Sequence, residues 1–383
     1  MNRLNQLTEI HQSGKPYIIY KSKKGFNLYT NFSKKIILNN HNIKSFLTKK
    51  NKKKSKDTDL FIGFFGYELL NNLIDVKIPK QKNLNFPKGI FYKPEKKIKL
   101  SNKLNYDFKN FKCGNFKINI NRKNYTKIFN KFKKKIKSGE TYQIKICTKY
   151  KTKSKINPLD FFSRLSDTNL APEAFMIKDD NYSIISCSPE TLIIKKGSDI
   201  STKPIAGTVK KTKQLNKIKA LNYFRKNLKE TKEHNMIVDM ERNDLSRICK
   251  VGTVKLSKQK IVEEYKALFH YVSLIKGKLK KNTNNFEIIK AMMPGGSVIG
   301  CPKINTLNLL NNQEKENRNI YTGSFGYIKF NGDMRFNIII RSILNFKNIS
   351  EISVASGVVV DSNANHEFNE NFLKAKALID LFK

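Results

Sequence analysis

The chain has no tryptophan and only five cysteines in 383 residues. Cys113, Cys147, Cys187, Cys249 and Cys301 are widely spaced and form no CxxC pair, so neither a disulfide framework nor a zinc site is expected. Long apolar runs are also missing: none approaches the roughly 20 residues that span a bilayer. The opening MNRLNQLTEIHQSGKPYIIY lacks the basic-then-apolar pattern of a secretory signal. A cytoplasmic location is therefore expected. Acid is scarce, with 31 Asp and Glu against 75 Lys and Arg, a formal net charge of +44.

Taken alone, that charge suggests a nucleic-acid or anionic-membrane partner. Its distribution argues otherwise. Lysines occur in nearly every segment, interleaved with asparagine, and the dense runs Lys49 to Lys56 and Lys131 to Lys137 are lysine-rich rather than arginine-rich. No RNP-like aromatic signature or helix-turn-helix pattern accompanies them. The charge reads as solvated faces that could still steer a dianionic substrate.

Residues 16–20 and 26–30 read as strands, and 59–74 as a strand that turns helical after Gly66. Residues 121–138 have helical spacing, with Tyr125, Ile128, Phe129 and Phe132 on one stripe. The run 141–150, TYQIKICTKY, alternates as a strand does. Residues 181–186 and 190–195 read as a strand pair around SPE, and 217–240 as one long helix. Strands are expected at 251–257, 323–330, 333–344 and 352–360, and a closing helix at 367–382. Long strands and helices are mixed, so the fold class is α/β or α+β.

Glu230 and Glu233 are three apart in a helical segment and share one face. Glu367 and Glu370 repeat the spacing in a second helix, with Lys374 four beyond Glu370. Two helices that each offer paired carboxylates can hold a hard cation such as Mg²⁺; surface pairing with lysines explains the spacing equally well. In PGGSVIGCPK (294–303), backbone N–H groups around Gly296 and Ser297 can cradle a carboxylate, or form an ordinary tight turn. PIAGT (204–208) is a similar short turn. His270 between apolar residues is compatible with a packed core position. Arg341, inside FNIIIRSI, needs an anionic partner and can grip a carboxylate bidentately.

In this order, SPE (188–190), PIAGT (204–208), KETKEHNMIVDMERNDLSRIC (229–249), HYVS (270–273), PGGSVIGCPK, YTGSFGYIKFNGDM (321–334), IIIRS (338–342), SGVVVDSN (356–363) and HEFNENFLKAKAL (366–378) resemble the chorismate-binding enzymes. The resemblance implies two packed β-sheets flanked by helices, with a catalytic region at 116–383 and a strand-rich region at 1–115 packing on it. It implies Glu233 and Glu370 as Mg²⁺ ligands, with Glu230 and Glu367 beside them. Arg341 and Tyr321, helped by the backbone at Gly357, would grip the enolpyruvyl carboxylate. Ser297 stands where many relatives have threonine. Thr208, His270 and the acid Glu190 would lie near the ring, and Lys374 next to the metal helix.

Gln143 bears on the branch of the family. Isochorismate and salicylate synthases resemble one another in placing there a lysine that activates water, which glutamine cannot do. Ammonia is the implied nucleophile. No GxCxG-type glutaminase turn is present, so a separate glutamine amidotransferase subunit is the expected source. Within the amine-using branch, aminodeoxychorismate synthase component I is favoured by PGGS, CSPE and NGDMRFNI and by the absence of a Leu-Leu-Glu-Ser signature near IIYKS (18–22). Ala206 favours anthranilate synthase component I, because well-known aminodeoxychorismate synthases carry a nucleophilic lysine in that turn. A nucleic-acid-binding protein on a dead scaffold is the reading from another class. It predicts loss of the metal carboxylates, yet all four are present, and specific nucleic-acid binding is not expected.

Overall fold

The computed structural model describes residues 3–49, 56–74, 76, 86–104, 106, 112–265 and 268–383. Residues 50–55 of the first lysine run lie outside them. No described helix is long and apolar enough to cross a membrane. In chain order the helices are α1 (Arg3–Gln12), α2 (Ile43–Thr48), α3 (Tyr67–Leu73), α4 (Arg122–Lys137), α5 (Pro158–Asn169), α6 (Lys217–Lys226), α7 (Leu228–Ile248), α8 (Asn285–Met292), α9 (Lys303–Gln313) and α10 (Ala364–Ile379). The strands are β1 (Tyr17–Ser22), β2 (Gly25–Ile37), β3 (Leu60–Phe65), β4 (Gly89–Leu100), β5 (Lys112–Cys113), β6 (Lys117–Ile118), β7 (Gln143–Lys155), β8 (Glu173–Lys178), β9 (Tyr182–Ser188), β10 (Thr191–Lys196), β11 (Asp199–Lys203), β12 (Ile205–Lys210), β13 (Lys255–Glu264), β14 (Leu268–Lys278), β15 (Gly300–Cys301), β16 (Ser324–Lys329), β17 (Met334–Asn337), β18 (Ser342–Phe346) and β19 (Ile349–Val358).

All strand pairings among the described residues are antiparallel. One half runs β7, β19, β18, β9, β8, β1, β2. The other runs β4, β3, β16, β17, β10, β11, β14, β13. The long β2–β4 ribbon joins them and carries an irregularity between Phe32 and Lys34. The two packed sheets expected from the resemblance are thus halves of one hydrogen-bonded sheet folded face to face. Between them lies an apolar layer with Ile18, Tyr20, Phe175, Ile177 and Ile184 on one side and Ile62, Phe64, Ile90 and Phe325 on the other. The Phe175 and Phe325 rings stack at 3.7 Å. Buried Glu173 of β8 ties the halves together, accepting from Tyr20, Thr191 and, across the interface, Arg335 of β17 at 3.0 Å. Ladders β1–β8 and β3–β16 cross the expected boundary at residue 115.

Helices cover the outer faces because central strands such as β3 and β9 bury side chains on both sides. Leu159, Phe162 and Leu378 of α5 and α10 pack on the first half. Leu47, Leu70, Val238, Leu245 and Ile288, from α2, α3, α7 and α8, pack on the second. Tyr125, Phe129 and Phe132 of α4 are buried as the stripe predicts, against Leu307 and Leu310 of α9.

Five expectations are corrected. The helix read at 217–240 is two helices, broken at Asn227, whose side chain caps α7 by accepting from Glu230 N at 3.2 Å. The strands around SPE do not pair with each other: β9 pairs with β8 and β18, β10 with β11 and β17, and the SPE turn carries the chain between halves. The run 333–344 is interrupted between β17 and β18, and Arg341 in the break adopts φ 51°. PIAGT is not a free turn but the start of β12, with a register shift between Ile205 and Thr208 where Gly207 takes φ +92°. The strand expected at 251–257 begins only at Lys255, after a turn at Gly252 with φ 74°.

Candidate active site

A cavity of about 200 Å³ opens between the β12–β14 edge, the 294–303 turn, the break before β18, and α10. Of the residues singled out from sequence, Glu190, Thr208, His270, Ser297, Tyr321, Arg341 and Lys374 line it. Gln143, Gly357, Ala206, Gly296 and the four carboxylates Glu230, Glu233, Glu367 and Glu370 are not among the residues that line it. The 294–303 turn is fixed to α7 by the buried Lys303–Asp244 ion pair. Gly296 is required there by packing: a Cβ would stand 2.2 Å from Met240 Sδ of α7. Its close approach to a helix, rather than to a ligand, is what the structure displays. Ala206 is buried between Ile205 and Gly207, both of which line the cavity.

The carboxylates come from two helices. On α7, the Glu233 carboxylate accepts at one oxygen, Oε1, from Gln143 Nε2 and from Lys145 Nζ, each at 2.8 Å. Glu230, one turn earlier, reaches Gly207, where its Oε2 lies 3.1 Å from the position of an added Cβ. On α10, Glu367 and Glu370 converge with His366, one donor atom of each within 4.8 Å of the others. Lys374 pairs with Glu370 at 2.6 Å. The two helices share their counter-charges: Glu370 and Glu367 act on Lys145, and Lys374 acts on Glu233.

These fields set protonation. The Lys145 ammonium holds the Glu233 carboxyl down to about 2 despite burial. Burial works against the Lys145 charge, but Glu233, Glu370 and Glu367 outweigh it and raise its pKa. Burial pushes the Glu190 carboxyl up to about 7, with Ser297 and Lys145 opposing. His270 Nδ1 bonds Thr208 Oγ1 at 2.8 Å, and burial, followed by the Arg341 charge, lowers its pKa to about 3. It is a neutral imidazole near neutral pH. Burial also lowers the pKa of Arg341, which forms no ion pair among the described residues. Glu190 Oε1, Ser297 Oγ and Gln143 Oε1 are buried without a hydrogen-bond partner among the described residues. A desolvated guanidinium without an ion-pair partner, lining a cavity, is the arrangement of a site that takes an anionic ligand.

Lys145 is the residue that sequence reading missed. It lies two positions after Gln143 in β7, so strand alternation puts both on one face. Only the fold shows what faces them. The donor set fits Mg²⁺: carboxylate oxygens on two helices are hard ligands, with no thiolate among them.

The family described as chorismate binding enzyme matches residues 109–380. The aminodeoxychorismate synthase component 1 of Bacillus subtilis (strain 168) is 34% identical over 267 residues, 70% of this chain and 57% of that protein. An anthranilate synthase component I-like protein of Synechocystis sp. is 31% identical over 347 residues, 83% of this chain and 72% of that protein. The chain thus spans little more than half of the first relative's length. Anthranilate synthase component I from Streptococcus pneumoniae TIGR4 superposes with TM-score 0.76 at 24% identity, covering 94% of this chain and 89% of that one. The menaquinone-specific isochorismate synthase from Escherichia coli gives 0.78 at 15% identity, covering 100% and 92%. At those identities the structures share the fold.

Proposed function

The chain belongs to the chorismate-binding enzyme family, and from that premise we propose that it aminates chorismate to 4-amino-4-deoxychorismate, as an aminodeoxychorismate synthase component I. Ammonia would come from a separate glutamine amidotransferase subunit. The observation that carries amination is Gln143. Its amide is buried and donates to Glu233 at 2.8 Å. An amide cannot take a proton from water at neutral pH. Ammonia needs no such activation, so amination is favoured over water addition. In the proposed reaction ammonia displaces the ring hydroxyl, which leaves as water.

Glu233 and Glu370 would hold Mg²⁺, with Glu367 and Glu230 beside them. When bound, Mg²⁺ supplies Lewis-acid neutralisation of a substrate carboxylate. Arg341 grips a second carboxylate through its unpaired guanidinium, with Tyr321 beside it and Gly357 next to Gln143 and Lys145. Glu190, with a pKa of about 7, holds a proton that it can give to the departing hydroxyl. Neutral His270, oriented by Thr208, serves as a hydrogen-bond partner to the ring rather than as a charge. Lys374 positions Glu370.

A second reading, anthranilate formation with loss of pyruvate, is favoured by Ala206, whose methyl group cannot attack the ring. Product analysis separates the two. The chain is incubated with chorismate, Mg²⁺ and excess ammonium at mildly alkaline pH, and the products are identified by mass spectrometry. A product that retains the enolpyruvyl group, and yields 4-aminobenzoate only after a lyase is added, supports the proposal. Fluorescent anthranilate plus pyruvate replaces it with the second reading.

A further inference from the structure

Lys145 has no part in the roles assigned above, yet it occupies the middle of the charged cluster. Its Nζ lies 2.8 Å from Glu233 Oε1, and the same oxygen already accepts from Gln143. The side chain is 14% exposed. Its main chain is pinned: Lys145 N donates to Ile299 O at 3.0 Å, and Arg318 Nη2 donates to Lys145 O at 3.2 Å. The ammonium end is less constrained, because Lys145 also lines the cavity. Gly357 makes room for it, since a Cβ there would stand 2.8 Å from Nζ and 2.9 Å from Gln143 Nε2.

We propose that Lys145 is a resident cation that occupies Glu233 when no divalent ion is bound and must be displaced from that oxygen for one to enter, so that it weakens divalent-cation binding to the substrate-free protein. The proposal rests on the reading of Glu233 as a metal ligand. Charge balance supports it. Glu233, Glu367 and Glu370 face two ammonium groups, Lys145 and Lys374. A dication held by Glu233 would stand next to the Lys145 ammonium, which lies 2.8 Å from Oε1, a local excess of positive charge that a neutral residue at 145 would not create. An anionic substrate removes the excess, so the lysine couples cation binding to substrate binding. Lys145 acts here as a positioning residue, through Glu233, rather than on the reacting atoms.

The test is isothermal titration of the full chain with MnCl₂ and with MgCl₂ in the absence of substrate. Wild type is compared with Lys145→Met and Lys145→Gln, and thermal melts establish that each is folded. Removing one positive charge next to a dication should tighten the dissociation constant at least about ten-fold. Lys145→Arg, which keeps the charge, should remain close to wild type and provides a second measure should the neutral variants not fold: tighter binding by the arginine variant overturns the proposal. Unchanged or weaker affinity in the neutral variants also overturns it. Equal affinities that are abolished by Glu370→Ala sink the lysine proposal alone. No binding heat in any protein at millimolar ion sinks it together with the metal reading.

Discussion

Replacing Arg341 by methionine should move stability and function in opposite directions. The guanidinium sits in the break between β17 and β18, largely removed from water and without an ion-pair partner among the described residues. An unpaired buried charge destabilises the free protein. Methionine has similar length, removes the charge and keeps the same backbone strain at φ 51°, so that strain cancels in the comparison. The side chain retains partial exposure, which screens the charge, so the gain should be modest, about 1–2 kcal/mol. In the complex the same guanidinium would be paired with a substrate carboxylate. Truncating one partner of such a pair costs about 2–5 kcal/mol, roughly 30- to 4,000-fold. Arg341→Met should therefore lose kcat/KM for chorismate by at least about 30-fold while its thermal midpoint rises. The assay is steady-state product formation with saturating ammonium, paired with thermal melts of the substrate-free protein. A variant with unchanged kcat/KM refutes the carboxylate grip. One that is both less stable and fully active refutes the claim that the charge is uncompensated.

Three further outcomes are expected. Glu370→Ala should abolish Mg²⁺-dependent turnover, and near-normal activity at ordinary Mg²⁺ would remove Glu370 from the proposed ligand set. Glu190 has a folded pKa of about 7, above its unfolded value, so the folded state holds its proton more tightly and its contribution to stability declines as pH rises from about 4.5 through 7. The stability of wild type relative to Glu190→Gln should thus fall by up to about 3 kcal/mol between pH 5 and 8 in denaturant titrations, and a flat or rising difference contradicts the assignment. Gly357→Ala places a methyl group within 2.9 Å of the flexible ends of Lys145 and Gln143. It should change the melting midpoint little but reduce kcat/KM by about ten-fold or more, because the Gln143 amide is pushed away from Glu233; unchanged kinetics would show that the alignment of Gln143 is not needed.

Legibility from sequence followed the range of the interaction. Helices α4 and α10 and strands β1, β3 and β7 were readable because side-chain periodicity is a local property of the backbone. The breaks were not. Asn227 splits α6 from α7 through a cap that looks, in sequence, like one more polar residue among lysines. The apolar run 338–342 reads as uninterrupted strand, and only its place between two ladders, β10–β17 and β9–β18, forces the excursion that carries Arg341 into the cavity. Arg335 and Glu173 gave no signal either, since they meet across the folded sheet from positions 162 residues apart.

The sequence by itself determined which residue types were available and on which faces. Paired carboxylates three apart on two helices, an amide at position 143, alanine at 206 and the ordered motifs of the chorismate-binding family all follow from local spacing and chemical identity. Tertiary structure decided their electrical state and their neighbours. It brought Lys145 to within 2.8 Å of Glu233, left Arg341 without an ion-pair partner among the described residues, and raised Glu190 to about 7 while lowering His270 to about 3. The reason is physical: periodicity depends on a few adjacent residues, but desolvation and charge coupling depend on what long-range strand pairing places within a few ångströms, and one-dimensional spacing does not carry those distances.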